Sequence, residues 1–292
     1  MSTYDVTVRS AGLRRRRLVQ SFFAVAATLS ALAAVSMLAI VIGSVVAKGG
    51  SSLSVDFFTK PRGLFGEPGG IADAIVGSGL IVAIATLMAV PVGVLVAIYV
   101  SEFASKSIAT FVRVVLDVMN GIPAIVVGIF VFGVVVVNRG QSALAGSFAL
   151  AILMVPLIAR TTQEVLALVP GGLREASLAL GVSRWRTVLG VVLPTVTGGI
   201  VTGTMLAVAR VAGETAPLLF TSSIAANAIN TNVSEALPTI PVAIFVYSES
   251  PDPHEQALAW TAALVLISFV LVASVLARAL SARSRRKLTG GH

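Results

Sequence analysis

The sequence contains no cysteine and little charge: Asp, Glu, Lys and Arg together make up 12% of 292 residues, about half the share of an ordinary soluble domain. Without cysteine there is no disulfide framework, no thiolate metal site and no cysteine nucleophile. His254 has neither a Cys nor a second His one helical turn away, so it does not make a metal site. Lysine is scarce, and none of Lys48, Lys60, Lys106 or Lys287 follows a glycine, so no Gly-Lys-Ser/Thr loop is available to cradle a nucleotide phosphate. The 26 Gly and 12 Pro are spread through apolar runs rather than gathered in linkers, which excludes a disordered or collagen-like chain.

What is present is long apolar stretches. Hydrophobic residues make up 56% of the chain, and runs near the roughly 20 residues that cross a bilayer core occur at 18–47, 71–100, 108–137 and 257–280. Two more are less uniform: 143–158 is short, and 188–211 is interrupted by Pro194, Gly198, Gly199 and Gly203, which membrane helices tolerate when neighbours satisfy the freed backbone groups. The expectation is an all-α polytopic membrane protein with six transmembrane helices. With the N-terminus inside, all but five of the 21 Lys and Arg fall in cytoplasmic segments, the exceptions being Lys48, Lys60, Arg62, Arg139 and the intramembrane Arg210. The positive-inside rule therefore puts both termini in the cytoplasm, and the net charge of +8 reflects topology rather than nucleic-acid binding. The apolar run after Arg14, Arg15, Arg16 and Arg17 is about twice the length of a signal-peptide core and reads as a retained first helix.

The expected organisation is a cytoplasmic tail at 1–17, a first transmembrane helix at 18–47, an outer loop at 48–70, a core at 71–280 and a cytoplasmic tail at 281–292. Within the core, 159–187 reads as the one sizeable cytoplasmic loop, with an amphipathic helix, and 213–256 as an outer stretch of short helices. Glu102 with Lys106, and Arg113 with Asp117, are spaced for local ion pairs.

The inner loop has the most specific pattern. Glu175-Ala176-Ser177 is followed by three residues, Gly181, nine residues, and then Val191-Val192-Leu193-Pro194. Small residues one turn apart form a close-approach face, and Gly181 ends the helix at a position that a side chain would strain or obstruct. A helix, a glycine turn and a second helix can dock into a cleft of another protein. The spacing resembles the EAA loop of ABC-importer permeases, with Ser177 in place of the second Ala. That resemblance implies a type I ABC-importer permease fold and a coupling helix, carried by Glu175, Ala176, Ser177, Gly181 and Trp185, that rests on a separate ATP-hydrolysing subunit. Trp185 also fits an interfacial aromatic.

Arg210 and Glu214 lie four residues apart at membrane depth, expected on one helix face near the outer part of the fifth span. One reading places them on a pathway, where the guanidinium fork matches a tetrahedral oxyanion and Glu214 holds Arg210 when no anion is present, or accepts a proton from a protonated phosphate. The other is a structural ion pair between helices.

A second resemblance bears on this choice. The segment Arg210-Val211-Ala212-Gly213-Glu214-Thr215-Ala216-Pro217 is similar to one in phosphate-importer permeases. So are Ala74-Ile75-Val76-Gly77-Ser78 leading to Val90-Pro91-Val92-Gly93 and Tyr99-Val100-Ser101-Glu102, and Asn120-Gly121-Ile122-Pro123-Ala124-Ile125-Val126-Val127-Gly128. The resemblance covers about 70–280 and is to one of the two different permease subunits of such transporters. It implies half of a heterodimeric pathway with Arg210, Glu214 and Thr215 on the substrate route, no cofactor and no catalysis in this chain, and a place in the bacterial cytoplasmic membrane. The partners it implies are a second homologous permease, two copies of a cytoplasmic ATP-binding subunit and an extracytoplasmic phosphate-binding protein. The rivals are a permease for another oxyanion, molybdate or sulfate, and an ion-coupled secondary transporter; the second commonly carries inverted repeats, and no matching halves are visible here.

Overall fold

The computed structural model describes residues 11–63, 69–223 and 228–288, and every regular element among them is helical. The chain forms two units, Met1–Lys48 and Gly49–His292. The first is α1 (Ala11–Gly49), apolar on all sides from Leu18 onward, as a helix solvated by lipid or protein must be.

The second unit opens with a short helix, α2 (Val55–Thr59), whose Ser54 hydroxyl accepts the Phe57 N–H. Helix α3 (Ala72–Ile98) ends in a wide π turn at Tyr99–Phe103, and Ser105 caps α4 (Lys106–Gly121). Next come α5 (Ala124–Val131), a π turn at Phe132–Val136 and α6 (Val137–Arg139). Ser142 caps α7 (Ala143–Ala167) by accepting the Ala145 N–H at 3.1 Å. Then follow α8 (Gly171–Ala179) and α9 (Arg184–Thr187), a π turn at Val188–Val192 and α10 (Leu193–Val211). The widening before α10 has a local cause, since Pro194 has no N–H and its ring crowds the carbonyl four residues earlier. The stretch 213–256 carries α11 (Ala216–Thr221) and α12 (Ile240–Ser248), and α13 (Pro253–Leu288) follows.

Among the described residues, five helices are long and apolar enough to cross a membrane, and six if a bent pair counts as one. The bent pair falls on the apolar run expected as a span at 108–137. Lys106–Gly121 and Ala124–Arg139 meet at 94°. A proline disfavours helical geometry in the residue before it, and Ile122, ahead of Pro123, is extended at φ −69°, ψ 127°. Hydropathy registers the composition of this stretch but not its change of direction.

Helix α7 is the hub, packing on α3, α10, α5 and α4. Ile81, Ala85 and Ala89 of α3 meet Leu150, Met154 and Ile158 of α7, with Ala207 and Val211 of α10 and Leu218 of α11 completing the cluster. The α7–α10 crossing requires Gly203, where a methyl group would lie 2.5 Å from Thr161 Oγ1. Small residues at such crossings let backbones approach closely in a membrane, where helix association relies on packing.

Arg62 donates to Glu255 through Nε at 3.1 Å and lies 5.0 Å from the Tyr247 ring centroid, tying the loop after α2 to α12 and α13. Burial disfavours the Arg62 cation, but its hydrogen bond and charge pairing with Glu255 outweigh this and hold its pKa above the usual value. Burial pushes the Tyr247 phenol up.

Candidate functional site

The α4–α5 elbow forms part of a cavity of about 220 Å³. Asn120, Ile122, Pro123 and Ala124 line one wall; Leu153 and Leu157 of α7, with Arg210, Val211 and Glu214, line the rest. The first turn of α5 starts on this wall, and the unshared N–H groups at a helix start bring partial positive charge. Arg210 is exposed on the open side of α10 and, among the described residues, its guanidinium makes no hydrogen bond or ion pair. The cavity thus combines a free guanidinium, the Asn120 amide, a helix start and one carboxylate, which suits a small anion that carries or loses a proton.

The expected helical pairing of Arg210 with Glu214 is corrected. Helix α10 ends at Val211, and the Glu214 N–H closes a tight turn onto the Val211 carbonyl. The two side chains line one cavity from different elements and form no ion pair within 4.0 Å among the described residues. Thr215 begins α11, its carbonyl accepting the Leu218 and Leu219 N–H groups at 3.1 Å, and it is not among the cavity-lining residues.

The second site is the segment from α8 to α9. Helix α7 continues to Ala167, nine residues into the stretch read as loop, and Pro170 then starts α8. Gly181 has φ +76°, its N–H bonds the Leu178 carbonyl at 2.9 Å, and the Val182 N–H bonds the Ser177 carbonyl at 3.2 Å. This pair of reversed bonds is a Schellman turn, which needs the left-handed residue that glycine supplies cheaply. A methyl group on Gly181 would meet nothing within 4 Å, so the requirement is conformational and not one of space. Glu175, Ala176 and Trp185 are exposed, as are Leu178 and Leu180, the last at 84%. Ser177 is the correction: it faces inward, buried, with its hydroxyl 2.9 Å from that of Thr187, and so joins α8 to α9.

Two residues outside the expected set hold this segment. Arg174 grips Glu102 with Nε and Nη2, the shortest contact 2.8 Å, while Nη1 and Nη2 also donate to the carbonyls of Val169 at 2.7 Å and Leu166 at 3.0 Å. One guanidinium thereby connects α8 to the ends of α3 and α7. Arg184 adds a contact 5.6 Å from the Phe103 ring centroid. The expected Glu102–Lys106 pair is thus replaced by Glu102–Arg174, and Asp117 lies 3.9 Å from Arg160 rather than pairing with Arg113. Glu102 and Arg174 are 72 positions apart, and only the glutamate's place among apolar residues signalled that it needs a cation.

The family model for the binding-protein-dependent transport system inner membrane component matches residues 89–286. The chain is 41% identical over 247 residues, 83% of each chain, to the phosphate transport system permease protein PstA of Yersinia pestis. It is 35% identical over 286 residues to that of Mycobacterium leprae, covering 94% of this chain and 93% of the other. The chain belongs to the PstA branch of the binding-protein-dependent transport permeases. In structure it is similar to an inward-facing form of the MetNI methionine ABC transporter, with a TM-score of 0.55 and 19% identity over 72% of this chain and 93% of the other. The fold of this PstA-branch permease is the type I ABC-importer permease fold, and the chain is a multi-pass protein of the bacterial inner membrane. ABC-importer permeases work with an ATPase, which fits a chain without a nucleotide-binding loop.

Proposed function

We propose that the chain is a permease subunit of an ATP-driven importer of inorganic phosphate, in which Arg210 and Glu214 serve the substrate route. The observation that carries the reading is the guanidinium of Arg210, unpaired and open at a cavity built on a helix elbow. An uncompensated charge at membrane depth is expensive and is kept where a ligand or a pathway uses it. The phosphate class is supported by relatives that carry that name, 35–41% identical over most of the chain.

In this reading the chain is one half of a heterodimeric pathway, and its exposed Arg210 side faces a second homologous permease. Two copies of a cytoplasmic ATP-binding subunit receive the α8–α9 segment through Glu175, Ala176, Gly181 and Trp185, while Ser177 braces it from within. An extracytoplasmic phosphate-binding protein delivers substrate, and both termini lie in the cytoplasm. Closure of the ATPase shifts an inward–outward equilibrium through α8, the Arg174–Glu102 link and the ends of α3 and α7. Thr215 contributes the start of α11 at the edge of the site.

Phosphate uptake by the assembled transporter tests the reading. Arg210→Gln abolishes uptake and Arg210→Lys lowers it, since lysine keeps the charge and loses the fork. Arg210→Gln combined with Glu214→Gln stays inactive in an assembled complex; recovery of uptake in that double variant means that the two form a structural pair. Competition by sulfate or molybdate equal to that of phosphate would assign the same site to another oxyanion.

A further inference from the structure

A second cavity lies on the other side of α7. Leu144 and Leu153 are nine residues apart, as are Phe148 and Leu157, and at about 100° per residue each pair points to opposite sides of the helix. Leu153 and Leu157 line the Arg210 cavity, whereas Leu144 and Phe148 line a cavity of about 550 Å³. This second cavity therefore opens away from the Arg210 cavity.

Its wall is divided by polarity. Met88 of α3 with Leu144 and Phe148 forms an apolar body, each of them at least 40% exposed. Arg139, Ser142 and Ser234 supply the polar lining. Arg139 is the last residue of α6 and Ser142 caps the start of α7, so the charge sits at the turn between the apolar segment 124–139 and α7, where apolar helices hand over to the polar layer of a bilayer. Arg139 is exposed and makes no ion pair or hydrogen bond among the described residues. The neighbouring acid, Glu235, is taken up by the amides of Asn230 at 2.6 Å and Asn232 at 2.8 Å. Ser142 spends a lone pair on the Ala145 N–H and keeps its O–H to donate.

We propose that this groove binds an anionic phospholipid, with its phosphate on Arg139 and the Ser142 and Ser234 hydroxyls and an acyl chain along Met88, Leu144 and Phe148. The charge at the polar end selects an anion, and the apolar body selects a tail over a free ion. The occupant is part of the bilayer that the helices cross, and its site is separate from the substrate route.

Native mass spectrometry of the full-length protein in mild detergent, titrated with phosphatidylglycerol or phosphatidylcholine, tests the assignment. Phosphatidylglycerol is retained about fivefold more tightly, as one arginine at a membrane surface provides. Arg139→Gln removes that preference while the fold, read by circular dichroism, is unchanged. Phe148→Asp lowers retention of both lipids, and Arg210→Gln, on the other side of α7, changes neither. Millimolar inorganic phosphate and the deacylated headgroup leave the bound lipid in place. Equal retention by the native protein and Arg139→Gln overturns the proposal, and displacement by inorganic phosphate alone reassigns the groove to a free anion.

Discussion

Arg174 and Arg210 are the same side chain put to opposite uses. Arg174 is close to saturated: a nearly buried carboxylate and two helix-end carbonyls take up four of its five N–H donors. Arg210 has no partner among the described residues and opens on a cavity. A guanidinium with four of its five N–H donors engaged fixes the positions of the helices around it, whereas one with none is free to engage a ligand. The difference comes from where the helices end. Helix α7 stops at Ala167, leaving the Leu166 and Val169 carbonyls for Arg174, while α10 stops at Val211 and takes Glu214 off the face that would have paired with Arg210.

The contrast can be broken most severely at the nearly saturated arginine. Arg174→Ala leaves Glu102 buried without its cation, and the expected cost is about 3 kcal/mol, read as a lower melting temperature in detergent. Arg174→Lys recovers part of this, since one ammonium cannot reproduce the fork and the two carbonyl bonds together. Next is Gly181→Val, which places a β-branched residue at φ +76° at a cost of roughly 1–2 kcal/mol. It should abolish co-purification of the ATPase, whereas Gly181→Asn, tolerated in left-handed geometry, retains it. Normal ATPase binding by the valine variant would remove the docking role of this turn.

Ser177→Ala should cost only about 1 kcal/mol, the worth of one hydrogen bond, because the Thr187 hydroxyl keeps its bond to the Ser183 carbonyl at 3.3 Å. Adding Thr187→Val should return none of that loss in the same melting assay, since it also removes the Thr187 bond to the Ser183 carbonyl. The smallest stability effect belongs to Arg210→Gln, within about 0.5 kcal/mol, because no partner is orphaned. Its loss of uptake then appears without a loss of folding, the reverse of Arg174→Lys if that variant still transports. A strongly destabilised Arg210→Gln protein would show that the two arginines are both structural.

The site was legible in sequence where its geometry is local. The Schellman turn at Gly181 involves consecutive residues, and an ionisable pair among apolar residues marks Arg210 and Glu214 from composition alone. The apolar runs announced the spans for the same reason. What depends on neighbours distant in the chain was hidden. The Glu102–Arg174 grip joins residues 72 positions apart, and nothing near Glu102 distinguishes it from a partner of Lys106. Ser177 reads as surface until α9 is seen to pass beneath it. The wall opposite Arg210 is built by Asn120 and Pro123, residues present in a recognisable string but without any sign of the cavity they bound.

The elbow at Ile122–Pro123 also decides a question of parity. The described residues hold five straight helices able to cross a membrane, an odd number. An even number requires the two halves of the elbow to complete one passage between them despite their 94° bend. The parity of the crossings among the described residues thus turns on a single proline and the extended residue before it.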